Sequence, residues 1–201
     1  MSVTDRINGI ARRIPTWAVY CLCALPAPWL FYLGLTGGLG IEPIKELEHR
    51  LGELALQFLI AGLAVTPLRR HLGVNLMKFR RAIGLVTFFY VALHLAVWLF
   101  LDVQIWSQIW ADIVKRPYVT VGMLAFVVMI PLAVTSNGWS VRMLGPRWRQ
   151  LHRLVYVAAI LGALHFIWLA RGFQLEPLLY MAAILVLLVL RLPPRRRRAL
   201  A

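Results

Sequence analysis

The sequence predicts an all-α integral membrane protein, a six-transmembrane-helix bundle with both termini in the cytoplasm. Three observations predict it. Hydrophobic residues make up 61% of the 201 positions and charged ones only 15%, whereas a soluble domain carries about a quarter charged residues and under half apolar ones. The apolar residues fall into six runs of helical length, without the alternation of barrel strands. The 22 Lys and Arg residues lie between those runs, concentrated on one side.

The first run, about residues 16–35, follows a basic start. It is long for a cleaved signal core and more spans follow, so it reads as a retained helix. Cys21 and Cys23 lie within it as small packing residues, and no C-x-x-C-H attachment signature occurs. The second run, about 49–66, is short and borrows flanking residues such as Glu48 to Arg50 to reach the ~20 residues a bilayer requires. Runs at about 82–101, 119–136 and 150–169 follow, and a shorter one at about 175–191 closes the set. "GGLG" at 37–40, "RPY" at 116–118, "SNGW" at 136–139 and "GFQLEP" at 172–177 read as turns. No linker, repeat or low-complexity segment divides the chain, so residues 1–201 read as one domain.

Basic residues set the direction. With the N-terminus in the cytoplasm, that side collects Arg6, Arg12, Arg13, Arg69, Arg70, Lys78, Arg80, Arg81, Arg142, Arg147, Arg149, Arg153, Arg191 and Arg195 to Arg198, 17 in all. The other side keeps five: Lys45, Arg50, Lys115, Arg116 and Arg171. This is a positive-inside bias. Trp106, Trp110 and Tyr118 fit an outer aromatic belt, Trp139 and Trp148 an inner one. "RRRR" at 195–198 reads as an anchor on anionic lipid. A net charge of +14 distributed this way implies no nucleic-acid partner.

The direction gives each histidine a depth. His94 lies 13 residues past Arg81, about 20 Å in at 1.5 Å per residue. His165 lies 12 residues past Arg153 on a span running the same way, about 18 Å in. Two neutral imidazoles at one level, facing each other across a bundle, form an axial ligand pair for a haem iron. The bland alternative is a hydrogen bond between helices. His152 sits near the cytoplasmic face without an evident partner. On an ideal helix it points some 140° from His165, so one flat cofactor cannot use both. Zinc is the weaker metal reading, because no compact ligand set stands at a fixed spacing.

Other polar residues suggest a lined interior. His49, Glu53 and Gln57 stand at i, i+4 and i+8 on one helix face, either as a quinol pocket or hold on haem propionates, or as a solvated helix end. Arg80, Arg81, Arg149 and Arg153 gather at the inner boundary, where they either hold haem propionates or a flavin phosphate or set topology.

Several segments in order resemble the MsrQ (YedZ) family, haem-binding membrane subunits within the ferric-reductase-like transmembrane group. They are "GGLGIEPIKELEHRLGELAL" at 37–56, "TPLRR" at 66–70, "RRAIGLVTFFYVALHL" at 80–95, "KRPYVTVGM" at 115–123, "LAVTS" at 132–136 and "LGPRWRQLHRLVYVAAILGALHFIW" at 144–168. The resemblance implies a multi-pass protein of the bacterial inner membrane. Such subunits carry b-type haem, one or two, and His94, His152 and His165 fall on the haem-associated positions. His49 also falls on a family histidine; His71 reads as an inner-loop residue. It further implies electrons taken from the quinone pool and delivered to a periplasmic molybdopterin methionine sulfoxide reductase, the catalytic subunit that repairs oxidised proteins. Family members are associated with FMN, although no flavin motif occurs here. The absence of a G-x-G-x-x-G motif in strand–turn–helix context leaves the expectation of a conduit, fed by a quinol or a separate flavoprotein, with no sulfoxide-reducing site of its own. The rivals are a cytochrome b-type anchor for another reductase or dehydrogenase, and a proton-coupled transporter.

Overall fold

The computed structural model describes residues 2–170 and 173–192, all of whose regular structure is helical. Arg171 and the "RRRR" of 195–198 lie outside the described residues. In chain order the helices are α1 (Val3–Arg13), α2 (Thr16–Ala24), α3 (Pro26–Leu35), α4 (Pro43–Leu72), α5 (Arg80–Val97), α6 (Trp106–Lys115), α7 (Pro117–Val134), α8 (Gly138–Leu144), α9 (Pro146–Leu151), α10 (Leu154–Leu169) and α11 (Leu175–Leu190). Among the described residues, five stretches are long and apolar enough to cross a membrane: Thr16–Leu35, Pro43–Leu72, Met77–Val103, Pro117–Val134 and Pro146–Leu169. The sixth apolar helix, α11, has 16 residues.

The element boundaries depart from the sequence expectation for identifiable reasons. The run at 16–35 is broken at Leu25, because Pro26 and Pro28 lack the N–H that would continue the ladder. Tyr90, fully buried on α5, donates its hydroxyl to the Cys23 carbonyl beside that break at 2.7 Å. The second helix extends over 30 residues rather than 49–66. Its ends carry charge, and apolarity marks the part inside a bilayer, not where backbone hydrogen bonding stops. Gly73 closes it at φ 68°, a left-handed position that glycine adopts without strain. The fifth run was expected as one helix from about residue 150; instead α9 ends at Leu151, and His152 and Arg153 form a turn before α10. The 140° angle between His152 and His165 therefore does not apply. In "GFQLEP" the last three residues already belong to α11.

Two amphipathic helices flank the bundle. In α1, Ser2 and Asp5 cap each other, and these bonds hold the Asp5 carboxyl below its ordinary pKa. Asn8 ties α1 to the α4–α5 connection through Gly73 O (3.1 Å) and Asn75 N (2.8 Å). In α6, Ile109 is buried while Trp106 and Trp110 are exposed, the disposition of a helix lying along an interface.

Helix α4 is the hub. It packs against α5 over its length and also meets α11 and α10; α10 packs on α7. One core cluster joins α3, α4 and α5 around Leu51, Ala55, Val86 and Tyr90. A second joins α4, α10 and α11 around Leu63, Ala159, Ala163 and Ile184. Pro67 sits inside α4, so the carbonyl of Leu63, four residues earlier, has no intrahelical donor. Arg191, at the end of α11, supplies one: Nε donates to Leu63 O at 2.9 Å and Nη2 to Gly62 O at 3.2 Å, while Nη1 reaches the Tyr156 hydroxyl at 3.2 Å. A residue counted from sequence as a topology charge thus fastens the last helix to the hub. Arg191→Met is expected to destabilise the bundle by about 1–3 kcal/mol, since buried acceptors lose their donor. Thermal unfolding in detergent, followed by circular dichroism, measures it.

Candidate cofactor site

Two cavities run end to end through the bundle. The larger, about 1490 Å³, lies between α4, α5, α7 and α10. The smaller, about 580 Å³, lies toward the α9–α10 turn. Leu59, Thr87 and Met129 line both and stand between them.

His94 and His165 line the larger cavity from α5 and α10, with ring centroids 6.2 Å apart and planes at 78°. Each Nδ1 is engaged by a backbone carbonyl of a different helix: His94 with Glu48 O of α4 at 2.8 Å, His165 with Tyr118 O of α7 at 2.7 Å. A carbonyl only accepts, so each Nδ1 carries the proton and each Nε2 keeps its lone pair. That is the tautomer a metal-binding imidazole uses, fixed by the outer-shell contact such ligands usually have. The spacing fits too. Two metal–imidazole bonds of about 2 Å, plus about 1.1 Å from nitrogen to ring centre on each side, put the centroids ~6.2 Å apart. Ala55, Leu56, Val91, Phe126, Ala158 and Gly162 give the surrounding wall an apolar surface, as suits a flat, largely apolar cofactor.

The other sequence candidates are dispersed. His49 and Glu53 line the larger cavity and contact each other, Nε2 to Oε1 at 2.9 Å. Gln57 does not line it; exposed, it donates to the Tyr180 hydroxyl at 3.0 Å. Arg80 and Arg81 line the smaller cavity with His152, Lys78 and Arg191, whereas Arg149 and Arg153 are exposed and line neither. His152 stacks on Trp148 at 3.9 Å, and its Nε2 is hydrogen-bonded to Thr135 Oγ1 at 3.0 Å. Among the described residues, no group of three or more His, Cys, Asp or Glu is placed to hold a metal ion.

Sequence reasoning missed the partners of the paired histidines, which come from other helices. It also missed Gly52 and Gly122. A Cβ at Gly122 would lie 2.8 Å from His165 Nδ1, and one at Gly52 3.2 Å from His94 Nδ1. Glycines inside otherwise apolar helices were the available signal.

Residues 50–163 match the family described as ferric reductase like transmembrane component. Relatives extend the likeness to most of the chain. The protein-methionine-sulfoxide reductase heme-binding subunit MsrQ of Agrobacterium fabrum is 50% identical over 177 residues, covering 88% of this chain and 82% of the relative. Its Rhizobium meliloti counterpart is 51% identical over 181 residues, covering 90% and 84%. That of Brucella anthropi is 46% identical over 185 residues, with the same two coverages. The chain belongs to the ferric-reductase-like transmembrane family and, within it, to the MsrQ group.

Proposed function

We propose that this chain is the haem-binding membrane subunit of a methionine sulfoxide reductase system in the bacterial inner membrane. In this reading residues 1–201 form one domain of six spans, α11 being the sixth, with both termini cytoplasmic. It carries electrons from the quinone pool to a periplasmic molybdopterin enzyme, which does the sulfoxide chemistry. The observation that carries the reading is the facing pair, His94 and His165, with Nδ1 of each committed to a carbonyl and Nε2 left as the ligand. The 17-to-5 division of Lys and Arg supports the direction. The relatives are named as heme-binding subunits, which supports the cofactor.

Haem b, when bound, supplies one-electron carriage. The chain supplies the rest. His94 and His165 hold the iron, the carbonyls of Glu48 and Tyr118 keep both rings in tautomer and angle, and the apolar wall excludes water, which sets the potential. A quinol leaving as quinone releases two electrons and two protons. The His49–Glu53 pair, at the cavity wall, is the proposed first acceptor for the protons. Reduction of a sulfoxide to a thioether on the partner consumes two electrons and two protons and releases water, so the exchange balances.

The smaller cavity is assigned a second role, on the observation that Lys78, Arg80, Arg81 and Arg191 converge there with His152. Such a cationic pocket suits the carboxylates of a second haem or the phosphate of FMN. For His152 to bind iron through Nε2, its bond to Thr135 must be given up. Arg149 and Arg153, being exposed, are left to anionic lipid.

The test is the colour and electron balance of the purified protein in detergent. The expected result is a red protein whose b-type band is reduced by a quinol and reoxidised by the molybdopterin partner with sulfoxide present. A colourless preparation returns the transporter reading. A red one that only another reductase or dehydrogenase exchanges electrons with makes it a cytochrome b anchor of a different complex.

A further inference from the structure

The two imidazoles are seated by one device used twice. His94 Nδ1 meets the carbonyl of residue 48, and its ring lies against residue 52; His165 Nδ1 meets the carbonyl of residue 118, and its ring lies against residue 122. In both cases the glycine follows the accepting carbonyl by four residues on the same helix, α4 or α7. Helix geometry explains the spacing. Each Cα–Cβ bond tilts toward the helix N-terminus, so the side chain at i+4 leans back over the carbonyl at i. That carbonyl has a second lone pair beyond its intrahelical bond. A ring from a neighbouring helix that lies flat over residue i+4 has room to reach it where that side chain is missing.

We propose that Gly52 and Gly122 are positioning residues: each opens one backbone carbonyl so that an imidazole can lie flat on the helix and have its tautomer and angle fixed. The assignment rests on the haem reading for its consequence, though not for its geometry. The two cradles differ in tightness. A Cβ at 122 would stand 2.8 Å from Nδ1, 3.0 Å from Cε1 and 3.3 Å from Cγ of His165. At 52 the corresponding distances to His94 are 3.2, 3.3 and 3.8 Å. An aromatic ring tethered by a hydrogen bond of 2.7 or 2.8 Å cannot yield like the end of a flexible chain. Gly162, by contrast, would meet only the Leu56 Cδ2 methyl at 3.4 Å, and Gly34 the Leu39 Cδ1 methyl at 3.6 Å.

The experiment compares Gly122→Ala, Gly52→Ala and the control Gly34→Ala with wild type, purified in detergent. Haem content, the g-values of the low-spin ferric signal and the midpoint potential are measured on each. Alanine is the better helix former, so a loss in either cradle variant does not come from helix propensity. Gly122→Ala is expected to weaken haem binding about 10-fold or more, the range of outer-shell changes at metal sites, and to shift both g-values and potential. Gly52→Ala is expected to do so less, and it carries the test if Gly122→Ala does not fold. Wild-type g-values, potential and haem content in folded Gly52→Ala and Gly122→Ala would overturn the proposal. If wild type itself takes up no haem, the haem reading fails separately. The cradles are then judged by histidine nitrogen-15 NMR: two Nδ1–H tautomers in wild type, one lost in each alanine variant, support them, and unchanged tautomers sink them.

Discussion

His94→Ala and His165→Ala are each expected to leave the purified protein with less haem than any outer-shell change would, a loss exceeding ~10–100-fold in affinity. Removing one imidazole takes away one of the two groups that would hold the iron, and nothing adjacent replaces it. The neighbouring titratable pair, His49 and Glu53, is occupied with itself at 2.9 Å, and His152 lines the other cavity, bonded to Thr135. The bundle should survive both changes, because the apolar clusters around Leu51 and Tyr90 and around Leu63 and Ala159 still join α4 to its neighbours. Circular dichroism and size-exclusion elution are therefore expected to match wild type while the b-type band disappears. His71→Ala is the control: that side chain is exposed at the end of α4, 3.4 Å from the Leu190 carbonyl, and its loss should leave the pigment intact. Wild-type haem content in both single variants would take the cofactor away from this histidine pair and point to the smaller cavity.

The meeting of those two rings was legible in the sequence because it depends only on rise per residue and on where arginines anchor the helices. Counting from Arg81 and Arg153 as a common reference puts His94 and His165 at one level. Their carbonyl partners were not legible. Glu48 and Tyr118 are distant in sequence from the histidines they hold, and they contribute backbone, whose identity leaves no trace in composition. Arg191 escaped for a related reason. Its charge is visible, but the vacancy it fills is created by Pro67, more than a hundred residues earlier. The turn at His152 was not legible, because the run at about 150–169 reads as one helix. "PRWRQLHR" reads as the start of a helix, and only the structure shows the helical ladder interrupted by a turn at His152 and Arg153. Gln57 shows the limit of periodicity: it shares a face with Glu53 by spacing, yet it turns to Tyr180 on α11 rather than to the cavity. Amphipathic α1 and α6 had visible patterns, but a search for spans discards short helices that lie along an interface.

The two adjacent alanines of α10 should give opposite outcomes to the same substitution. Ala158 lines the large cavity two turns before His165, on nearly the same face, with Gly162 between them. Ala159 is fully buried in the cluster that joins α10 to α4 and α11, one turn from Ala163. Both pairs are small residues four apart, the spacing that lets membrane helices approach closely. Both alanines are buried, but only the second pair belongs to that cluster, whereas the first lines the cavity. Ala159→Leu forces a branched side chain into packed space and is expected to destabilise the bundle by about 1–3 kcal/mol or more, with haem lost only as the fold is lost. Ala158→Leu adds its methyls on the cavity side of α10, near the imidazoles. It should destabilise less than Ala159→Leu and lower haem content several-fold even in folded protein, because the added methyls occupy the space the cofactor needs. Thermal unfolding and haem content measured on both variants separate a container from a seam. If Ala158→Leu keeps full haem content, the cavity is not where the cofactor sits, however well the histidines face each other.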